Sequence, residues 1–314
     1  MKRPRRRRAR RWPLSRVLTV LTAVVGVSVL LYPTAAAWFS DRIHATEVSG
    51  YVAQVENLRP ADQQKLLDDA HAFNAALPSG PIRDPFTLNS AGEQSDIGSG
   101  ADAYEAALNL DSDGVMGRID IPTIDVHLPI FHGTSEETLA KGVGNLFGSA
   151  LPVGGESTHS VLTAHSGFVT ATLFDDLKTM KTGDVFSITV VNETIYYEVD
   201  QILTVLPDET EALRRVDGND YVTLITCTPT GVNTHRLLVR GERIEAPAQT
   251  DATTTTQPSD TTDPGLPWWA LAIVGMAIAA VLLTRRRKEK PRPVPPAAKG
   301  HVPEDQSTQQ HTST

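Results

Sequence analysis

The sequence predicts a mainly β protein: a closed or nearly closed barrel of short strands, with a helical segment before it and an apolar helix at each end. Three observations carry this. Between residues 117 and 244, short β-branched runs alternate with Gly, Asn, Asp and Pro. Residues 49–77 instead space Leu, Val and Ala at helical intervals. Near each terminus an apolar stretch of about 20 residues abuts a run of Arg and Lys.

The ends come first. The 314-residue chain has a formal net charge of −8, yet more than half of its Lys and Arg lies in the two terminal regions, "MKRPRRRRARRWPLSR" and the segment opening "RRRKEKPRP". The middle is therefore acidic, and a nucleic-acid partner is excluded as an expectation. The basic runs border "VLTVLTAVVGVSVLLYPTAAAWF" (17–39) and "LPWWALAIVGMAIAAVLLT" (266–284). Trp38 and the Trp268–Trp269 pair lie at the outer end of each stretch, where interfacial anchors belong. Positive charge marks the cytoplasmic side, so both termini are expected inside the cell membrane and the middle outside. A cleaved signal peptide is the competing reading of the first stretch. Its apolar region, however, exceeds the ~7–15 residues of a signal sequence, so an uncleaved anchor is expected.

Next, "SGYVAQVENLRPADQQKLLDDAHAFNAAL" reads as helix with a break at Pro60. "PSGPIRDPFTLNSAGEQSDIGSG" is dense in turn residues and reads as a long loop. "ADAYEAALNL" reads as a second short helix. The strands follow: "GRIDIPTIDVHLPIF", "HSVLTAHS", "DVFSITVV", "ETIYYEVDQILTVLP", "YVTLITC" and "HRLLVRGERI". Between them, "TLAKGVGNL" and "TATLFDDLKTM" are expected to be short helices. A barrel is favoured because closure removes exposed strand edges. "APAQTDATTTTQPSDTTDPG" buries too little apolar surface to fold and reads as a solvated tether. The expected organisation is a basic cytoplasmic tail (1–16), a membrane anchor (17–39), a helical segment with a long loop (40–113), a barrel (114–245), a disordered linker (246–265), a second span (266–284) and a cytoplasmic tail (285–314).

Chemistry centres on Cys227, the only cysteine. It ends a β-branched run, where a nucleophile is held rigidly beside a groove, and it needs a nearby cation to favour its thiolate. Taken alone it is better explained as a small buried apolar residue. Arg236 opens the next run. If "TPTGVN" turns between paired strands, Arg236 falls beside Cys227, suited to stabilise an oxyanion. Arg240 and Arg243 fit ordinary exposed arginines. His165, in "VLTAHSG", is a candidate acid/base partner, with His159 and His235 as rivals.

Histidine before cysteine excludes the papain order, and "ITCTPT" lacks the caspase Gln-Ala-Cys signature. The Ser-His-Gly-Cys of L,D-transpeptidases is absent, as are a metal-ligand cluster and a phosphate loop; "GVGNLFG" lacks the Lys and following hydroxyl. No cofactor is expected, and no acidic cluster compels a calcium site.

"TLITC" followed by "NTHRLLVRG", with "VLTAHSG" and "LPVGGESTHS" upstream, resembles the sortases, and more narrowly class C, the pilin-polymerising sortases of Gram-positive bacteria. The likeness runs from about Gly117 to Ile244. It implies a barrel of about eight strands with His165, Cys227 and Arg236 as catalytic residues. It further implies a membrane-anchored thiol transpeptidase that cleaves an LPxTG-like sorting signal and joins it to a pilin lysine. Its partners would be pilins or other surface proteins bearing such signals. Alternatives are a housekeeping enzyme that anchors proteins to cell wall, a hydrolysing cysteine peptidase, and a non-catalytic membrane-anchored binding module. In "IRDPFTL", Asp84, Pro85 and Phe86 match the class C lid, with Asp84 expected on Arg236 and Phe86 over Cys227; the plain reading is a turn started by Asp-Pro. Thr226, Thr230 and Asn233 are candidate substrate-groove residues. The family's Thr-x-Thr-Cys is incomplete here. Asn145 replaces a frequent histidine and Thr230 an expected aromatic, placed to alter substrate contacts or lid packing.

Overall fold

In the computed structural model, residues 14–78, 101–110, 114–247 and 265–285 are described. The chain forms two units. Among the described residues, one comprises 14–27 and 273–285, the other those between 28 and 272.

Helix α1 runs Leu14–Asn57 without interruption through Pro33. The expected anchor and the first part of the expected helical segment are thus one element. Its apolar window, with mean hydropathy 2.1 and no buried residues, is long enough to cross a membrane. The expected break does occur before Pro60, which occupies the first turn of α2 (Pro60–Ala76). There proline's missing N–H costs nothing and its φ suits a helix start. Helix α3 is Ala101–Ala106.

Strands β1 (Val115–Ile121) and β2 (Val126–His132) flank a 3-10 turn at Pro122–Ile124. Helix α4 (Glu136–Lys141) then leads to the three-residue β3 (Val143–Asn145). Strands β4 (Thr158–Thr163), β5 (Val185–Val190), β6 (Glu193–Val205), β7 (Asp220–Thr228) and β8 (His235–Ile244) complete a closed barrel in the order β1-β2-β3-β4-β7-β8-β6-β5. β1 pairs with both β2 and β5, which closes the ring and leaves no edge. Two pairs are parallel, β2 with β3 and β4 with β7. Helix α5 is Trp268–Arg285.

Two sequence expectations need correction. "GVGNL" is strand β3 rather than the end of a helix, because residues 143–145 pair with β2 on one side and β4 on the other. "TATLFDDLKTM" contains only a 3-10 turn at Leu177–Thr179. Its Leu173 has φ +41°, outside the helical region, and its N–H groups close three-residue turns such as Asp175 to Thr172.

Alternation along the strands divides the core. Leu162, Leu224 and Val239, direct partners on β4, β7 and β8, face the barrel interior with Phe186 and Tyr197. One residue over, Val161, Ile225 and Leu238 face outward and form a separate cluster with Leu146 and Leu213. These three strands are therefore buried on both faces, unlike β5, which is buried on one. The helices are stapled on. The Tyr51 hydroxyl donates to Met116 O (3.0 Å) and accepts from Val191 N (2.7 Å). Asn74 bonds both backbone groups of Leu151. Within the same unit, Trp38 donates to Gly265 O and packs with Phe39 and Trp269, so tryptophans far apart in sequence form one cluster.

Candidate active site

Cys227 lies at the end of β7, and its partner in the β7–β8 register is Arg236. Two residues back on each strand are Ile225 and Leu238 of the outward cluster. With a side-chain period of two, Cys227 and Arg236 share that outer face. Each is nonetheless buried, at 7% and 8% exposure.

The third residue arrives from the other side of β7. The parallel β4–β7 register pairs each residue with the one 62 further on, from Thr158 with Asp220 to Thr163 with Ile225. The pairing continues past the end of β4: Ala164 N donates to Ile225 O (3.2 Å) and the Thr226 hydroxyl donates to Ala164 O (2.8 Å). Ser166 Oγ then donates to Cys227 O (2.6 Å). The same register brings His165 level with Cys227. His165, Cys227 and Arg236 thus lie level with one another at the ends of three neighbouring strands.

Local contacts hold each member. Arg236 Nη1 donates to the carbonyls of Asn233 and His235, both at 3.2 Å. Asn233 has φ +59°, a conformation asparagine tolerates better than most residues, and so turns its carbonyl toward Arg236. The His165 ring stacks on Phe168, with centroids 5.3 Å apart and planes 7° apart. Its Nε2 is 3.4 Å from Glu136 Oε1. Phe174 N donates to His165 O (3.0 Å), and Gly167 N donates to Asp175 Oδ1. Gly167 has φ +75°, and a Cβ there would sit 2.4 Å from Thr230 Cγ2. Only glycine fits beside Thr230, so the turn after His165 and the β7–β8 loop are packed together.

The rivals are engaged elsewhere. His159 is buried, bonded to Arg214 O (2.9 Å) and Thr223 Oγ1 (2.7 Å), and desolvation lowers its pKa. His235 alternates to the face opposite Arg236 and bonds Thr234 (2.9 Å). Arg240 and Arg243 are not simply exposed: they pair with Asp200 and Asp220.

Of the expected groove residues, Thr230 is exposed beside Gly167. Asn233 acts on Arg236 through its carbonyl. Thr226 alternates away from Cys227 and uses its hydroxyl to carry the β4 register on to His165. Asn145 is fully buried; its amide donates to Ala150 O and Ser160 Oγ, and its side-chain oxygen accepts from the Tyr104 hydroxyl. It ties β3 to α3 and β4 rather than facing a groove. Asp84, Pro85 and Phe86 lie outside the described residues. Glu136 and Phe168 had no sequence signal, because neither belongs to a catalytic motif and both reach His165 only through the fold. Among the described residues no cluster of His, Cys, Asp or Glu could hold a metal.

What this row can do is nucleophilic acyl transfer: a thiol, an imidazole on one side and a guanidinium on the other. The comparisons agree. The Sortase domain family model matches residues 119–244. Sortase A of Bacillus anthracis is 31% identical over 148 residues, covering 47% of this chain and 68% of the relative. The crystal structure of sortase C-1 from Actinomyces oris is 51% identical with TM-score 0.56, covering 60% of this chain and all of that one. That of Streptococcus pneumoniae Sortase C, described for its catalysis and pilin substrate specificity, is 41% identical with TM-score 0.57, covering 64% and 97%. The chain belongs to the sortase family of cysteine transpeptidases, with class C enzymes among its structural neighbours.

Proposed function

We propose that this enzyme is a membrane-anchored class C sortase that cleaves an LPxTG-like sorting signal between Thr and Gly and joins the threonine to a pilin lysine. The observation that carries the reading is the row of His165, Cys227 and Arg236 at the ends of β4, β7 and β8. The Cys227 thiolate attacks the threonine carbonyl carbon. Arg236 and backbone N–H groups stabilise the oxyanion. As the Thr–Gly bond breaks, His165 as imidazolium gives its proton to the leaving glycine amine. The thioacyl-enzyme is then attacked by a lysine ε-amine. Its surplus proton passes to His165, the isopeptide bond forms and the Cys227 thiolate is regenerated.

Class C neighbours at 41–51% identity support the pilin reading over cell-wall anchoring. α1 acts as an anchor, and α5, apolar throughout Trp268–Thr284, as a second span with both termini cytoplasmic. Residues 1–16, 246–265 and 285–314 serve as tail, tether and tail around a barrel of 114–245. Holding enzyme and membrane-bound substrate on one surface raises their effective concentration. Asp84, Pro85 and Phe86 act as a lid over the thiol, a role suited to the burial of Cys227 on an outer barrel face.

The test is incubation of the full-length protein in lipid nanodiscs with a sorting peptide, with and without a lysine-bearing pilin. An isopeptide-linked product formed only with pilin supports the reading. Hydrolysis alone in both arms overturns it in favour of a peptidase. An unchanged peptide points to a binding module.

A further inference from the structure

The regular pairing of β4 with β7 stops just short of the catalytic residues. Ala164 N donates to Ile225 O (3.2 Å), and the next rung of a parallel ladder would run from Ser166 N to Cys227 O. At that rung a side chain makes the bond: Ser166 Oγ donates to Cys227 O at 2.6 Å. A second hydroxyl works in the opposite sense, where Thr226 Oγ1 donates to Ala164 O at 2.8 Å. The two bonds bracket the catalytic pair. One joins the residue before Cys227 to the residue before His165, and the other joins the residue after His165 to Cys227 itself. A serine hydroxyl in a turn commonly bonds its own near neighbours. This one reaches a residue 61 positions away, on the strand that carries the thiol, so turn formation does not explain it. The turn has its own bonds, Phe174 N to His165 O and Gly167 N to Asp175 Oδ1, and these hold it to its own loop.

We infer that Ser166 is a positioning residue for His165 and Cys227, a spacer tie that keeps the two strand ends in register while holding them apart by the length of a side chain. This rests on the acid role proposed for His165. Acyl transfer needs the imidazole near the thiol with the substrate's Thr–Gly bond between them. Two near-attack contacts of about 3–3.5 Å each require a wider gap than the roughly 4.8 Å between paired strands. Backbone pairing carried one rung further would close that gap, and a strand end with no tie would let the His165 turn drift. A hydroxyl link avoids both. It also engages the cysteine from behind: the bond falls on the Cys227 carbonyl, so it fixes the peptide plane after the nucleophile without occupying the thiol. The bond is half-buried, so water competes for it less than at an open surface.

The test reads acylation by the full-length protein in nanodiscs, as release of the glycine-side fragment of a sorting peptide. Ser166→Ala should lower kcat about 10–100-fold with KM changed less than about twofold, since alignment is lost and the binding surface is kept. Ser166→Thr retains the hydroxyl and should return most of the rate. Each variant is assayed well below its melting temperature, so an unfolded fraction cannot mimic the loss. In a His165→Ala background, adding Ser166→Ala should cost nothing further, because no imidazole remains to be aligned. A kcat for Ser166→Ala within about twofold of wild type overturns the inference. So does a loss of equal size in the His165→Ala background, or one that falls wholly on KM. Failure of the underlying reading shows differently: His165→Ala would itself acylate at the wild-type rate. Fragment release precedes both hydrolysis and transfer, so the test stands whichever acceptor follows.

Discussion

Cys227 on β7 and Arg236 on β8 are direct partners in an antiparallel register, on one face of the barrel. The backbone sets their proximity, and the Asn233 and His235 carbonyls aim the guanidinium. Arg236→Lys keeps the charge and loses the planar fork. Turnover of a sorting peptide should fall about 10²–10³-fold, the scale of a lost oxyanion donor. Thiol alkylation should continue, since the cysteine remains in place. Turnover within a few fold of wild type would remove Arg236 from the chemistry.

Gly167 and Thr230 form a second, steric relationship. Gly167→Ala would force a Cβ into Thr230 Cγ2 at a φ of +75°. The expected destabilisation is about 1–3 kcal/mol, with lower activity from a displaced His165 turn. Thr230→Ser removes the clashing methyl and should return part of the loss, leaving the φ strain. Thermal melts of the two single variants and the double variant check this. Strict additivity would show that the two residues do not press on each other.

The lid proposal predicts faster access to the thiol. Replacing Asp84 and Phe86 together by Ala should speed labelling of Cys227 by a small alkylating reagent. An unchanged labelling rate would exclude a covering role for these residues.

His159 predicts a pH effect on stability. Burial lowers its pKa from 6.5, so the folded state binds its proton less well than the unfolded chain. The unfolded state takes up more protons once pH drops below about 6.5, and stability therefore falls on acidification from that point. At higher pH both states are neutral and this contribution vanishes. His159→Gln should cost stability at pH 8, through lost bonds to Arg214 and Thr223, and should flatten the acid slope. Chemical denaturation from pH 5 to 8 measures it; an unchanged slope would mean that His159 is not the group responsible.

Much of the barrel was legible because β-branched runs bounded by turn residues announce strands wherever they are long. Strand β3 was not, since it is three residues long with glycine at its centre and another just before it, and its pairing comes entirely from β2 and β4. The pair Cys227–Arg236 could be read from a hairpin. His165 could be suggested by motif alone, because its alignment depends on a parallel register across 62 residues, with β5 and β6 in between. Thr226 looked like a groove residue by its position beside Cys227. Strand alternation instead turns it away and gives it the carbonyl of Ala164. Asn145 looked like an altered site residue, and its burial among Tyr104, Ala150 and Ser160 could not be read from a glycine-rich string. Glu136 was invisible for a related reason: a surface carboxylate has no pattern until a fold sets a histidine beside it.

The most direct measurement is the intact mass of the enzyme after brief exposure to a sorting peptide without acceptor. A covalent adduct equal to the peptide lacking its glycine-side fragment should appear, map to Cys227, and be absent in Cys227→Ala. Adding a lysine-bearing pilin should discharge it into an isopeptide product. Cleavage of the peptide by Cys227→Ala at the wild-type rate would contradict the account at its centre.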